Sequence, residues 1–540
     1  MRFKAVLLDT RSIQRYIFAG NQLKTNIGAS YLVECVFDDA LMDVLCSVLG
    51  KEQVDRDTWR KEEKPDWTNQ LAAARIGYIG GGNALVIFQS AVADEDIRKI
   101  VSEFGKKLLV EYPGLKTGAA IGELEMDSDG SYPDNNYNLT SLVHKLKDGQ
   151  NTVFPQVNVT YTGLTLCCDT NDEAANFWDA DRKRFISQEA AAKLRAGTRR
   201  KGMESPAEQE LWRKLRSVLP EDEKADFLSG YAFPTEFDAL GQKEKEDYLA
   251  IVHVDGNNMG QKFSSCCTLT DRKNLSLRIR ECTIKAFVSL LTEVISEYDE
   301  YNAFLSLKHD EDGRLYLPLR PLVLGGDDMT FVCPAKLAFV YTQRIMKALK
   351  QEGIYSCGGI AMLKTAYPFF RGYELAEELC SAAKARMRQG ADGSQQNDSC
   401  WLDFALLHGE QAPTLAEIRE QEYHAVCGNM HFGPYRVDGD GKAASLDNLL
   451  LAVKLMQGKD SCLPRNKIKD LRYVLAGDKQ EQRQFLAQLE HLQKCGMDIR
   501  LPDVPAWKIY EKELWHNGRT PYVDAIEMAD HIATGVGSED

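Results

Sequence analysis

At residues 322–332 the sequence reads Leu322-Val323-Leu324-Gly325-Gly326-Asp327-Asp328-Met329-Thr330-Phe331-Val332. Two apolar runs flank two glycines and two aspartates, a pattern that favours a β-hairpin. The glycines allow a tight turn and leave room for a ligand beside the backbone. The paired carboxylates at the tip can reach Mg²⁺, which prefers oxygen ligands and substrate phosphates. By itself the stretch is equally compatible with a polar turn that has no chemistry, so the rest of the chain decides.

The composition indicates a soluble protein of several domains. A chain of 540 residues is too long for one ordinary core, so we expect three or four domains. No apolar run is long enough to span a bilayer, and the N-terminus has the pattern of a strand rather than of a signal peptide. Fourteen cysteines in a chain of this length are typical of reduced thiols, so we expect a cytoplasmic protein.

The net charge of −14 argues against a protein that binds DNA or RNA on its own, because such proteins usually carry a basic face. It is compatible with binding to a nucleic acid that other proteins coat. The concentrated basic region, at 182–201, is interpreted as a solvated helix face.

The two halves of the chain match each other. In the first half a strand ends at Asp9, a Gly-Gly-Asn turn ends at Asn83, and a glycine-containing strand covers 118–121. In the second half the corresponding features are Asp255, the Gly-Gly-Asp-Asp turn and 358–361. Asp9 and Asn83 are 74 positions apart, and Asp255 and Asp328 are 73 apart. The order strand, helix, strand-turn-strand, helix, strand predicts two copies of the ferredoxin-like plan found in palm polymerases and nucleotide cyclases.

We therefore predict an α+β protein with two ferredoxin-like (palm/cyclase) domains, a helical region between them and a helical C-terminal domain. The predicted boundaries, in chain order, are 1–125 for the first palm, 126–245 for the inter-palm region, 246–390 for the second palm and 391–540 for the C-terminal domain. Residues 389–399 have the composition of a flexible linker.

Only the second copy keeps a full set of acids, because the first has an amide at Asn83. Asp255 is expected to lie beside Asp327 and Asp328, since the first strand of a palm runs next to its central hairpin. These three carboxylates and the carbonyl of Gly256 could hold two Mg²⁺ or Mn²⁺ ions, which would activate a ribose hydroxyl and steady a leaving pyrophosphate. Without a cation the carboxylates would raise one another's pKa.

The expected substrate is a nucleoside triphosphate. Glycines near the acids would allow the backbone to approach a triphosphate, and lysines after the last strand could neutralise phosphate charge. The predicted nucleotide-binding residues of the second copy are Gly256, Asn257, Gly260, Gly325, Gly326, Lys364 and Lys384.

Several motifs together resemble the large, palm-containing subunit of type III CRISPR effector complexes. In the first copy they are Ser12-Ile13-Gln14-Arg15-Tyr16-Ile17-Phe18, Leu23-Lys24 and Gly28-Ala29-Ser30. In the second copy they are Asp255-Gly256-Asn257-Asn258-Met259-Gly260, the Gly-Gly-Asp-Asp turn, and Glu374-Leu375-Ala376-Glu377-Glu378-Leu379 with Lys384. The resemblance covers about residues 1–390.

The resemblance implies an enzyme that converts ATP into a nucleotide second messenger, usually cyclic oligoadenylate, when guide RNA pairs with foreign RNA. It implies Asp255, Asp327 and Asp328 as metal ligands. It also implies a second nucleotide in the first palm, near Gly28, Ala29 and Ser30. The implied partners are other protein subunits, guide RNA and target RNA.

The sequence departs from the family's pattern in two respects. Many members begin with an HD nuclease domain, whereas the first strand here is expected at residue 3, so we expect none. The His309-Asp310 pair is interpreted as surface. Members often carry a zinc-binding insert, but this chain has no Cys-x-x-Cys; the spacing of His424, Cys427 and His431 is the remaining, weaker candidate for a metal site.

Two other functions are compatible with the sequence. One is a stand-alone cyclic-dinucleotide synthase outside CRISPR, which the acidic charge would suit. The other is a scaffold that binds nucleotide without catalysis, which the intact acids disfavour.

Overall fold

The computed structural model describes most of the chain. The described residues are 1–132, 137–152, 163–171, 173–180, 183–199, 203–224, 226–240, 248–389, 399–409, 414–439, 442–457 and 461–533. The predicted linker lies outside them from 390 to 398. Among the helices described, none combines the length and the apolar character needed to cross a bilayer.

The protein is a mixed α+β chain. Its described strands are β1 (Arg2–Arg11), β2 (Val54–Asp55), β3 (Ala74–Gly80), β4 (Asn83–Gln89), β5 (Lys116–Glu125), β6 (Phe177–Asp179), β7 (Arg184–Ile186), β8 (Tyr231–Ala232), β9 (Tyr248–Gly256), β10 (Leu315–Tyr316), β11 (Arg320–Gly325), β12 (Asp328–Pro334), β13 (Ser356–Lys364), β14 (Trp401–Leu406), β15 (His424–Ala425), β16 (Gly428–Asn429) and β17 (Tyr435–Arg436). Its described helices are α1 (Ile13–Phe18), α2 (Leu23–Cys35), α3 (Met42–Leu49), α4 (Thr58–Lys61), α5 (Asp94–Glu111), α6 (Tyr137–Thr152), α7 (Gln188–Gly197), α8 (Pro206–Arg216), α9 (Met259–Ser264), α10 (Leu269–Ser296), α11 (Tyr298–Leu305), α12 (Ala338–Gln351), α13 (Phe369–Gln389), α14 (Leu415–Glu422), α15 (Leu446–Met456), α16 (Arg465–Ala476), α17 (Lys479–Lys494), α18 (Lys508–Glu513) and α19 (Tyr522–Met528).

The chain divides into two compact units. The first unit contains 1–227, 258–285 and 322–327, and the second contains 228–257, 286–321 and 328–540. The division therefore passes through the β11–β12 hairpin, between Asp327 and Asp328.

A five-stranded sheet forms the centre of the first unit, in the order β2-β3-β4-β1-β5. Both faces of its inner strands are buried, which explains their nearly continuous apolar sequences. Strand β1 is antiparallel to β4 and to β5, and its Asp9 lies opposite Asn83 on one side and Gly118 on the other. The strand-end acid and the Gly-Gly-Asn turn of the first half are therefore neighbours.

Helix α6 lies where loop-like composition dominates the sequence, at 125–160. Its apolar residues Leu139, Leu142 and Leu146 recur at helical spacing and are buried. The helix packs on β5. Burial of this stripe outweighs the loop-forming residues around it.

Helices α2 and α7 of the first unit cross at a pair of glycines. A Cβ at Gly28 would lie 1.8 Å from the carbonyl oxygen of Lys193, and a Cβ at Gly197 would lie 2.1 Å from that of Lys24. Lys193 is buried, and its Nζ donates to the Tyr16 carbonyl at 2.6 Å and pairs with Glu189. This lysine does not belong to the solvated face that the basic region predicts, because its charge is neutralised inside the unit.

Gly28→Ala is expected to lower the free energy of unfolding by about 2–3 kcal/mol, because the added methyl group meets backbone that must move. Gly105→Ala is the matched control. Gly105 is also helical, in α5, but a Cβ there meets nothing within 4 Å, so we expect a gain of about 0.5–1 kcal/mol. Urea denaturation of both variants checks this. Similar changes in the free energy of unfolding for the two variants would show that the α2–α7 contact is not tight.

A second sheet repeats the strand order of the first. It runs β11-β12-β9-β13-β14-β17, with β9 antiparallel to both β12 and β13. Asp255 lies opposite Asp328 and Cys357, as Asp9 lies opposite Asn83 and Gly118. The sequence comparison aligns Gly118 with Gly358, but the register makes Cys357 the equivalent of Gly118, so that alignment is wrong by one position.

Strand β14 extends this sheet past residue 390, the predicted end of the second palm. It is parallel to β13, from Cys357 opposite Trp401 to Met362 opposite Leu406. All six of its residues are buried. The segment that follows is largely helical, from α14 to α19, and also contains the short strands β15, β16 and β17.

Candidate active site

Three aspartates meet at one end of β9. Because β9 and β12 are antiparallel, the last residues of one face the first residues of the other, and Asp255 lies opposite Asp328. Asp327 precedes Asp328 at the tip of the hairpin. A carboxylate oxygen of each aspartate lies within 4.8 Å of the others, and all three side chains are partly exposed. This set of hard oxygen donors is chemically suited to a divalent cation.

The turn itself leaves open space beside these carboxylates. Gly326 has a φ of 60°, the left-handed conformation that glycine adopts without strain. A Cβ at Gly325 or at Gly326 would meet nothing within 4 Å. A phosphate or a metal ion could therefore approach the backbone at the turn.

One face of α13 lines the carboxylates. Tyr373, Glu377, Cys380 and Lys384 are spaced four, three and four residues apart, which places them on one side of the helix. The Nζ of Lys384 donates to Oδ2 of Asp255. Burial lowers the pKa of Lys384, but the neighbouring Asp255 more than offsets this and the pKa is raised. The lysine is therefore an ammonium ion at neutral pH.

Glu377 is a further acid beside the aspartates, to which the sequence motifs assign no role. Burial, followed by Glu374, Asp255 and Glu378, raises the pKa of this half-buried carboxyl. Its position seven residues before Lys384 is the signal that could have placed it on the same helix face.

His253 lies beneath the acids. It is buried, with its Nδ1 3.1 Å from Oγ1 of Thr330 and its ring edge-on to Tyr373. Burial lowers the pKa of His253 to about 4, although Asp255 acts in the opposite direction. At neutral pH the imidazole is uncharged, so it adds no positive charge to the site.

The other residues predicted to lie near Asp255 differ from one another in burial and in contacts. Gly256 is buried and lies opposite Ser356. The side-chain amide of Asn257, which is buried, donates to the Ser399 carbonyl at 3.0 Å. Gly260 is exposed in α9, and a Cβ there would meet nothing within 4 Å.

The structure does not bring Lys364 to the carboxylates. It lies opposite Tyr248, at the other end of β9, seven residues from Asp255. At about 3.3 Å per residue the separation along the strand is about 23 Å. The sequence motif shows that Lys364 follows the fourth strand but not that this end of the strand points away.

In the first unit Gly28 and Ala29 are buried, and Ser30 is partly exposed. Gly28 contacts α7, as described above, so close helix packing alone accounts for this glycine. The predicted nucleotide site of the first copy stays a prediction.

The side chains of the weaker metal candidate, His424, Cys427 and His431, do not form a common metal site in the structure. His424 is exposed, Cys427 contacts Gln482 through its Sγ, and His431 is buried between Asp403 and Asp524. His309 is exposed, as predicted, while Asp310 pairs with Arg314. Among the described residues, the groups that could hold a metal are the three aspartates and a second set that shares Asp255 with His253 and Cys380.

The protein is thus a mixed α+β chain with two sheets of the same strand order and an acidic cluster on the second. No family model matches it, and no curated protein does. Similar solved structures are those of the Csm1-Csm4 cassette in complex with pppApApA (12% identity, TM-score 0.48, 100% of this chain and 65% of that chain) and with cA4 (13%, 0.49, 98% and 70%). A third is the Csm1-Csm4 subcomplex in the type III-A CRISPR-Csm interference complex (13%, 0.46, 98% and 70%). The chain spans about two thirds of the length of these chains.

Proposed function

We propose that this chain is a palm-type nucleotidyltransferase that converts ATP into a nucleotide second messenger, cyclic oligoadenylate or a related adenylated product. We further propose that it works in the cytoplasm as a subunit of an RNA-guided type III CRISPR complex. One observation carries the enzymatic proposal. Asp255 and Asp328 face each other in the second sheet, whereas the same register in the first sheet pairs Asp9 with Asn83. The second copy thus has two facing carboxylates, whereas the first has an amide, Asn83, in place of one of them.

The three aspartates would hold Mg²⁺ or Mn²⁺, with the carbonyl of Gly256 as a further ligand. When bound, the ions would supply activation of a ribose hydroxyl and stabilisation of the leaving pyrophosphate. Lys384 would bind the triphosphate, and the glycines at 325, 326 and 260 would let the phosphates approach the backbone. The first copy would bind a second nucleotide near 28–30, without catalysing.

The proposed partners follow from the motifs and from the charge. A chain with a net charge of −14 has little electrostatic attraction for RNA, so we propose that guide RNA and target RNA reach it through other protein subunits.

The decisive experiment incubates the assembled complex with ATP and Mg²⁺ or Mn²⁺, with and without target RNA. Pyrophosphate is quantified, and mass spectrometry identifies the products. We expect pyrophosphate and an adenylate product that depend on target RNA. Equal turnover by the isolated chain would favour a stand-alone synthase, and the absence of pyrophosphate from every mixture would favour a nucleotide-binding scaffold.

Lys384→Gln is expected to separate nucleotide binding from metal binding. The KM for ATP should rise about tenfold, since a charge-assisted contact to phosphate is worth about 1.4 kcal/mol or more. The half-saturating Mg²⁺ concentration without ATP should fall, because an ammonium no longer competes for Asp255. Steady-state kinetics and metal titration measure the two effects. Lys347→Gln, on the exposed side of α12, is the control and should change neither; a rise in both constants after Lys384→Gln would contradict the assignment.

A further inference from the structure

The Gly-Gly-Asp-Asp turn is held by two side chains of the first unit. Lys214, in α8, is buried with 4% of its side chain exposed, and its Nζ donates to the carbonyl of Leu324 at 2.7 Å. Thr283, in α10, donates its hydroxyl to the carbonyl of Gly326 at 2.8 Å. These two carbonyls immediately precede Gly325 and Asp327.

Lys214 is itself held by a small ionic cluster. It pairs with Glu34 of α2, and Nη2 of Arg280 in α10 lies 3.2 Å from the same carboxylate oxygen. A buried ammonium is strongly destabilising unless charged and polar groups surround it. Here the carboxylate and the Leu324 carbonyl satisfy it together.

The hairpin requires such support for two reasons. Among the strands that the structure describes, β11 is at the edge of its sheet, so no described strand bonds its outward carbonyls. The glycines of the turn have no side chains, and nothing lies within 4 Å of where their Cβ atoms would be. Packing therefore does little to fix this backbone, and the hydrogen bonds from Lys214 and Thr283 supply the constraint.

We propose that Lys214 and Thr283 are positioning residues for the metal-binding carboxylates at 327 and 328, and that Glu34 and Arg280 hold Lys214 in place. This inference rests on the proposed function for its catalytic consequence. Its structural part concerns the backbone at 325–328 and can be tested without activity.

A pair of substitutions at Thr283 gives the sharpest test. Thr283→Val removes the hydroxyl with little change in shape, and Thr283→Ser keeps it. A misplacement of catalytic groups by about 1 Å can lower a rate by about 10²-fold. We expect Thr283→Val to lower kcat about tenfold and to raise the half-saturating Mg²⁺ concentration, with KM for ATP unchanged, and Thr283→Ser to restore both. Lys214→Met should lower kcat by about 10–100-fold.

Thr342→Val is the control for a lost buried hydroxyl. Thr342 is buried in α12, and its hydroxyl donates to the carbonyl of Ala338 at 2.6 Å. The variant should show a comparable change in stability without a change in kcat.

Hydrogen exchange of the amides at 325–328, measured on the full chain, provides the readout that does not depend on catalysis. We expect faster exchange there in Thr283→Val and Lys214→Met, and wild-type exchange in Thr283→Ser and Thr342→Val. Unchanged exchange in Thr283→Val would overturn the inference, even if Lys214→Met fails to fold. An inactive wild-type complex with faster exchange in Thr283→Val would instead refute the proposed function and leave the positioning role supported.

Discussion

Asp328→Asn should reduce metal-dependent pyrophosphate release by about 10³-fold or more, while the protein becomes slightly more stable. The substitution keeps the shape of the side chain and removes the charge that a cation requires. It also relieves the repulsion among the carboxylates of Asp255, Asp327 and Asp328, whose oxygens lie within 4.8 Å of one another. We expect a stability gain of up to about 1 kcal/mol in the absence of metal. Asp327→Asn should behave in the same way.

The opposite signs of these two effects make the result diagnostic. If the carboxylate only stabilised the fold, its removal would lower the free energy of unfolding, and any loss of activity would result from that lower stability. Turnover is measured as pyrophosphate released from ATP by the assembled complex, and stability by urea denaturation with a chelator present. A variant that keeps activity within about tenfold would contradict the assignment of Asp328 as a metal ligand.

Asp9→Asn is the control in the first sheet, because Asp9 lies opposite Asn83 there as Asp255 lies opposite Asp328 in the second sheet. We expect kcat to stay within about twofold of wild type, since Asn83 opposite it already lacks the charge needed to complete a metal site. A loss as large as that of Asp328→Asn would mean that the first copy participates in the chemistry, and the division of roles between the two copies would be wrong.

Local patterns predicted the parts of the site that lie close together along a strand or across one hairpin. The glycines at 325 and 326 dictate a turn, and the apolar runs around them dictate strands. The palm plan, in which the first strand runs next to the central hairpin, predicts Asp255 beside Asp328, and the two are opposite each other in the sheet. Lys384 was also placed near phosphate-binding groups, and in the structure it contacts Asp255.

Features that depend on register or on distant partners were not predictable. A lysine near the end of a strand can lie at either end of the neighbouring strand, depending on direction and register. Lys364 lies at the end of β9 that is far from Asp255. The addition of β14 to the second sheet depends on pairing with β13 across a helix. Lys214 has the sequence of an ordinary charged-helix residue, and only the folded unit shows that it contacts Glu34 and the backbone of the hairpin.

The largest effect on stability is expected at His431 in the second unit. This imidazole is buried between two carboxylates, with Nε2 2.8 Å from Oδ1 of Asp403 and Nδ1 3.1 Å from Oδ1 of Asp524. Arg419 lies 3.1 Å from the same oxygen of Asp403, and the hydroxyl of Tyr435 donates to Asp524 at 2.6 Å. Replacing His431 by leucine leaves two buried acids without their shared partner. We expect a loss of about 3–5 kcal/mol in the free energy of unfolding.

The pH dependence of stability distinguishes an imidazolium from a neutral ring at this position. Burial and Arg419 lower the pKa of His431, but Asp524 and Asp403 outweigh them and the pKa is raised. Its stabilising contribution is therefore complete below about pH 6.5, the value of an unfolded histidine, and is lost as the pH rises through the folded pKa. The pKa values of Asp403 and Asp524 are lowered: burial alone would raise them, but Arg419 and His431 outweigh it at Asp403, and His431 does so at Asp524. Their contribution is present above about pH 4 and is lost as the pH falls through the folded values.

Wild type should consequently lose stability as the pH is raised from about 6.5, and His431→Gln should lack that part of the slope. The glutamine amide can donate hydrogen bonds but has no charge to lose, so its own contribution does not vary with pH. The other eight histidines are common to both proteins, so the difference between the two curves isolates His431. Urea denaturation at half-unit intervals from pH 5 to about pH 9 gives both curves. Parallel curves over this range would show that His431 is neutral in the folded protein, and that hydrogen bonding rather than charge holds Asp403 and Asp524 together.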